Sequence, residues 1–172
     1  VKPICPFHQV FKSTYLFGAY SPINGDSMAA EMPACNAEMF QLFMDEFSKH
    51  LPDELKIIVL DNGPFHKAKS LQIPKNIQLL FLPPYSPELN PAEKIWAVLK
   101  RKFTNRIHFS LEEISSFINK ESKTITKKMI QSICSFPYVF EGLDWTIYLT
   151  FIIGIKTSLD LPSVTKSTCP VS

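Results

Sequence analysis

Leu55-Lys56-Ile57-Ile58-Val59-Leu60-Asp61-Asn62-Gly63-Pro64 is the stretch that decides the fold. Its first six residues are apolar except for Lys56. A short run of this kind, apolar on both faces, is the pattern of a central strand in a covered sheet. Asp-Asn-Gly-Pro then stops the strand abruptly. Downstream, a short helix is expected from Phe65 to Leu71, and Ile77 to Leu82 (IQLLFL) reads as the next strand. Pro83-Pro84-Tyr85-Ser86-Pro87 makes a stiff loop. Asn90-Pro91-Ala92-Glu93 then opens a helix, with Asn90 as its cap, Pro91 at the first helical position and Glu93 in the first turn. Ile95, Trp96, Leu99 and Phe103 give that helix an apolar stripe.

Upstream of the central strand, Ser13 to Tyr20 (STYLFGAY) and Ser27 to Met32 read as two strands. They flank an Asn24-Gly25 turn and form a hairpin. Asn36 caps a helix whose Met39, Phe40, Phe43, Met44 and Phe47 fall at helical spacing, and Pro52 ends it near Leu51. Ser110-Leu111-Glu112-Glu113 resembles a capping box, and a further basic helix is expected over Ser122 to Ser132. Strands alternating with helices imply a layered α/β domain with some parallel pairing. Residues 140–172 differ in character. Trp145 to Ile155 is almost wholly apolar, and Ser, Thr and Pro dominate after it. The reading therefore divides the chain into a domain over 1–139 and an atypical tail over 140–172, outside the core and explicable as read-through or frameshifted sequence.

Composition removes several classes. The chain has 172 residues, 45% of them hydrophobic and 20% charged, enough apolar surface to bury a core. Four scattered cysteines contain no Cys-x-x-Cys pair, which excludes a zinc ribbon and favours a reduced, cytoplasmic setting. No signal peptide is visible. The 11-residue apolar window Trp145–Ile155 falls short of the roughly 20 residues a spanning helix needs, so no membrane partner is expected. There is no Gly-x-Ser-x-Gly and no glycine-rich phosphate loop. Net charge is only +2, but residues 94–128 hold nine Lys/Arg against three acids, leaving +6 there and −4 elsewhere. Lys94, Lys100, Arg101, Lys102 and Arg106 make a basic surface suited to a polyanion such as DNA, or simply a solvated helical face.

Two acids stand out by position. Asp61 ends the central strand and Glu93 starts the helix after the next one. In an open α/β sheet, groups at carboxyl strand ends gather along one edge. Two carboxylates there could share Mg²⁺, which takes oxygen ligands and keeps waters and phosphate oxygens. Paired ions about 3.5–4 Å apart serve in-line phosphoryl displacement. The plainer alternatives stay open: Asp61 as a turn residue accepting backbone N–H bonds, and Glu93 completing a capping box with Asn90. Asn62, His66 and Asn90 are auxiliary candidates beside them.

Val59-Leu60-Asp61-Asn62-Gly63-Pro64-Phe65-His66-Lys67 resembles the second-aspartate motif of the IS630/Tc1/mariner superfamily of transposases. Leu82-Pro83-Pro84-Tyr85-Ser86-Pro87-Glu88-Leu89-Asn90-Pro91-Ala92-Glu93-Lys94-Ile95-Trp96 resembles that family's third-acid motif, and the likeness extends over about residues 1–139. The resemblance implies an RNase H-like fold, a mixed sheet flanked by helices, with a DDE/DDD triad. It also implies Mg²⁺ or Mn²⁺, cleavage of DNA at transposon ends and strand transfer to target DNA, and nucleoid association when bound. Asp61 matches the second triad acid and Glu93 the third, as catalytic and metal-binding residues. The first triad aspartate belongs on a strand preceding the STYLFGAY hairpin, and no such strand is evident. The first acid in the chain, Asp26, lies in the turn. The expectation is thus an amino-terminally truncated catalytic fragment with its first strand missing and a sheet edge unpaired, prone to strand-completing dimers. Such a fragment would be impaired alone and would depend on an upstream transposase fragment. The rival expectation is a non-catalytic DNA-binding remnant using the basic 94–128 surface.

Overall fold

A computed structural model describes residues 14–103, 110–135 and 150–156. In chain order these form β1 (Tyr15–Tyr20), β2 (Ser27–Met32), α1 (Ala37–Lys49), β3 (Lys56–Leu60), β4 (Ile77–Phe81), α2 (Ala92–Phe103), α3 (Leu111–Ser122), α4 (Lys127–Cys134) and β5 (Thr150–Lys156). Single 3₁₀ turns lie at Pro64–Lys67 and Pro87–Leu89. The strands make one mixed sheet in the order β2-β1-β5-β3-β4. β1 runs antiparallel to both neighbours, and β3 runs parallel to both of its own.

Strand alternation sorts the core into two layers. Phe17, Ala19, Ile58 and Leu60 pack with Phe40, Phe43, Met44 and Phe47 of α1. Leu16, Tyr20 and Val59 pack with Ile95, Trp96 and Leu99 of α2, Ile114 and Ile118 of α3, and Ile130 and Cys134 of α4. All five residues of β3 are buried, as a doubly covered strand requires. Lys56 is buried too: its Nζ donates to the Leu51 carbonyl at 2.8 Å and sits 5.6 Å from the Phe47 ring centroid. Burial pulls its pKa down.

The caps follow the local sequence. Asn36 Oδ1 accepts from Met39 N at 2.9 Å, and Ser110 Oγ accepts from Glu113 N at 3.1 Å. The hairpin turn is pinned to α4. Gly25 has φ +73°, and a Cβ there would collide with the Lys127 backbone. Asp26 pairs with Lys127 at 2.5 Å, and Gln131 donates to the Ile23 carbonyl at 2.7 Å. Asp26 thus serves the docking of the turn.

Three expectations are corrected. The helix expected over Phe65–Leu71 is only the Pro64–Lys67 turn, because Pro74 and the Lys-rich stretch before it offer no apolar stripe. The helix expected over Ser122–Ser132 is α4 at Lys127–Cys134, since Ser122 closes α3 and Thr126 caps the next helix. Most consequentially, the sheet edge expected to be unpaired is paired. β5, drawn from the apolar run assigned to the tail, lies between β1 and β3. Residues 1–13, 136–149 and 157–172 lie outside the described residues, and so does Arg106.

Candidate active site

The site grows from the end of β3. The strand stops at Leu60, and Asp61 turns the chain: its Oδ1 accepts from Gly63 N at 3.0 Å. The same Oδ1 lies 2.9 Å from His66 Nδ1, which is also 3.2 Å from the Asp61 carbonyl. Both neighbours of Nδ1 are acceptors, so Nδ1 carries the proton. Gly63 leaves room for this close approach. A Cβ at this position would stand 3.2 Å from both Asp61 Oδ1 and His66 Nδ1. The His66 ring is buried, 4.8 Å from Phe40 and 4.1 Å from Phe65 by ring centroid, and its Nε2 has no hydrogen-bond partner.

These contacts set the charge of Asp61. The His66 hydrogen bond, joined by the Gly63 N–H and the imidazole's charge, holds its carboxyl below the ordinary 3.8 against the opposing effect of burial. The side chain is half exposed, at 50%. An ionised, half-exposed carboxylate at a carboxyl strand end is a hard oxygen donor available to a cation.

Asn62 links this turn to the second acid's segment. Its Nδ2 donates to the Leu82 carbonyl, and its Oδ1 accepts from Lys67 Nζ. Leu82 N in turn donates to the Leu60 carbonyl at 2.8 Å. The ends of β3 and β4 are therefore tied where the proline loop begins. Tyr85 in that loop has φ +59° and is fully exposed. Asn90, nearly fully buried, closes the loop. Its Oδ1 accepts from Ala92 N at 3.1 Å, and its carbonyl accepts from Glu93 N at 3.0 Å. Glu93 sits half-buried in the first turn of α2. The start of α2 packs through Ala92, Ile95 and Trp96 against Val59 and Leu82. Val59 precedes Asp61 by two and so shares its side of the sheet.

The structure thus brings Asp61, Asn62 and His66 into one hydrogen-bonded turn and links them to the loop of Asn90 and Glu93. Asp61 and Glu93 are both hard donors. Among the described residues, however, no three His, Cys, Asp or Glu side chains are placed to share an ion. The basic residues divide. Lys94, Lys100 and Arg101 are exposed on α2. Lys102 is turned to α3, 2.8 Å from Glu121 and bonded to Thr124 Oγ1. Two residues went unnoticed in the sequence. Lys67 braces Asn62 and lies 5.1 Å from the Phe81 ring centroid. Cys35 has its thiol pushed up by burial and by the charge of Asp61. Lys67 follows Asn62 by five residues across a proline-started turn, which was the available signal. Nothing local announces Cys35.

Comparison with known proteins places this geometry. A family model described as DDE superfamily endonuclease matches residues 8–115, a span that includes both acids and stops before β5. An uncharacterized protein, y4pE/y4sA of Sinorhizobium fredii (strain NBRC 101917 / NGR234), is 35% identical over 102 residues, 58% of this chain and 76% of the relative. No solved structure matches. With the family model covering more than half of its length, the chain belongs to the DDE superfamily endonucleases.

Proposed function

We propose that this chain is a transposase catalytic domain of the IS630/Tc1/mariner type, with an RNase H-like fold, built for metal-dependent cleavage and transfer of DNA strands. Asp61 and Glu93 are its second and third acids, and the sequence of β5, the other neighbour of β3, contains no acid beside them. The carrying observation is the ionised Asp61 carboxylate at the end of β3, locked by Gly63 and His66. It is tied through Asn62 to the segment that leads to Glu93. Mg²⁺ or Mn²⁺ bound there would supply electrostatic stabilisation to the phosphodiester oxygens. The chain's own part is to hold two oxygen donors and, through Asn62 and Asn90, fix the turn and the helix start that carry them. With β5 offering no carboxylate, the domain alone is a weak metal binder and a weak nuclease.

Mn²⁺ titration by electron paramagnetic resonance tests this, alongside nicking of supercoiled plasmid. The expected result is weak binding that Asp61→Asn and Glu93→Gln each abolish. Two tightly bound ions per chain with brisk nicking would overturn the impairment. Binding unchanged in both variants would overturn the site. The exposed Lys94, Lys100 and Arg101 support a second reading, a metal-independent DNA-binding remnant. It is recognised by binding with a steep salt dependence that Glu93→Gln leaves intact.

A further inference from the structure

β4 closes one side of the sheet, with β3 as its sole neighbour among the described residues. Lys56 N donates to the Asn76 carbonyl and Leu82 N to the Leu60 carbonyl, both at 2.8 Å. Those two bonds bracket the parallel ladder, in which alternate residues of a strand turn their N–H and C=O to the same side. Gln78 and Leu80 therefore bond β3, and Leu79 and Phe81 turn theirs outward, where no described residue meets them. An edge strand is ordinarily guarded by a charge, a proline or a bulge. Ile77-Gln78-Leu79-Leu80-Phe81 has none of these, and Leu80 is 55% exposed.

Beside this edge runs a groove of about 600 Å³. Leu71, Ile73, Ile77, Leu79 and Phe81 give it an apolar lining, and Lys67 and Lys69 give it positive charge. Among the described residues no acid lines it. Lys67 is held by the Asn62 amide oxygen, not by a carboxylate. Lys69, and Lys75 just before β4, are exposed and make no ion pair with a described residue. We infer that the outer edge of β4 is a docking site for an extended acidic segment of a partner protein, which adds a further strand to the sheet. The backbone of that segment pairs with the outward groups of Leu79 and Phe81, its alternate apolar side chains fill the groove, and its carboxylates meet Lys69 and Lys75. A peptide fits this edge better than a nucleic acid does. A nucleic-acid strand has no row of alternating N–H and C=O groups, and single-strand sites are built on aromatic platforms. Here the Phe81 ring already carries Lys67, 5.1 Å from its centroid. The docking site is independent of the metal chemistry proposed above.

The test is a titration of the full chain, free of metal, with a fluorescein-labelled synthetic peptide of alternating valine and threonine flanked by aspartate pairs. As it binds, amide exchange read by NMR should slow on the order of 10-fold or more at Leu79 and Phe81, while Gln78 and Leu80, already bonded to β3, remain as they were. The Lys69→Glu/Lys75→Glu double variant should bind this peptide on the order of 10-fold more weakly and take up a peptide flanked by lysine pairs instead. A variant that had merely unfolded would gain no such preference. Equal affinity of the parent for the two peptides overturns the proposal. So do Leu79 and Phe81 amides that are protected before any peptide is added, because the chain then covers the edge itself. Oligothymidylate that slows these two amides where the peptide does not also overturns it, and assigns the edge to nucleic acid.

Discussion

Asp61 carries two roles that first read as rivals. It is a turn residue, accepting from Gly63 N, and it is the acid at the strand end. The geometry makes one the means of the other, because the bonds that close the turn also keep the carboxylate charged. His66→Leu should let the Asp61 pKa climb back toward 3.8, read by carbon-13 carboxyl titration. The sign for stability follows from linkage. A carboxyl titrating lower when folded adds stability above its unfolded pKa and loses it as pH falls through the lowered folded value. The parent should therefore lose more stability than His66→Leu when melts are compared across the acid range below about pH 4. Gly63→Ala should cost about 1–2 kcal/mol in denaturant melts, since its Cβ crowds both partners of the turn at 3.2 Å.

At the scale of elements, Asn62 matters more than its place beside a catalytic acid suggests. It bonds the Leu82 carbonyl twenty residues away and so fixes where the proline loop leaves the sheet. Asn62→Leu should destabilise by about 1–3 kcal/mol, because the Leu82 carbonyl loses its partner. Amide exchange at Leu82 and in the first turn of α2 should rise with it, while exchange in α1 stays put. Several elements were legible in the sequence because their signals are local. Asn36 and Ser110 cap as their side chains dictate, and β2 spans the expected Ser27–Met32. β5 was not legible. Its apolar run carries no period, and its partners lie more than ninety residues upstream on two strands of opposite sense. Nothing within the run states that pairing. For the same reason the turn of Asp61 and the start of α2 could be read from sequence, but not the strand level with Asp61.

At the scale of the whole molecule, two of the cations that drew attention to residues 94–128 hold elements of the fold together. Lys102 is spent internally. It bridges α2 to Glu121 and Thr124 of the α3 end, and Lys127 holds the hairpin turn through Asp26. Lys100 and Arg101 stand exposed at the end of α2, away from the helix start that carries Glu93. A duplex lying along α2 would meet these two cations at one end and the acids at the other. Phosphate contacts show themselves in the salt dependence of binding, each worth a slope of about 0.9. The double variant Lys100→Ala/Arg101→Ala should lower the slope of log K against log salt by up to about 2, measured by fluorescence anisotropy with duplex DNA. Lys102→Ala should leave that slope unchanged and instead cost about 0.5–1 kcal/mol of stability, as a partly exposed pair with one added hydrogen bond does. If Lys102→Ala lowers the slope as much as the double variant does, its bridge to α3 opens on binding, and the whole basic stretch faces DNA after all.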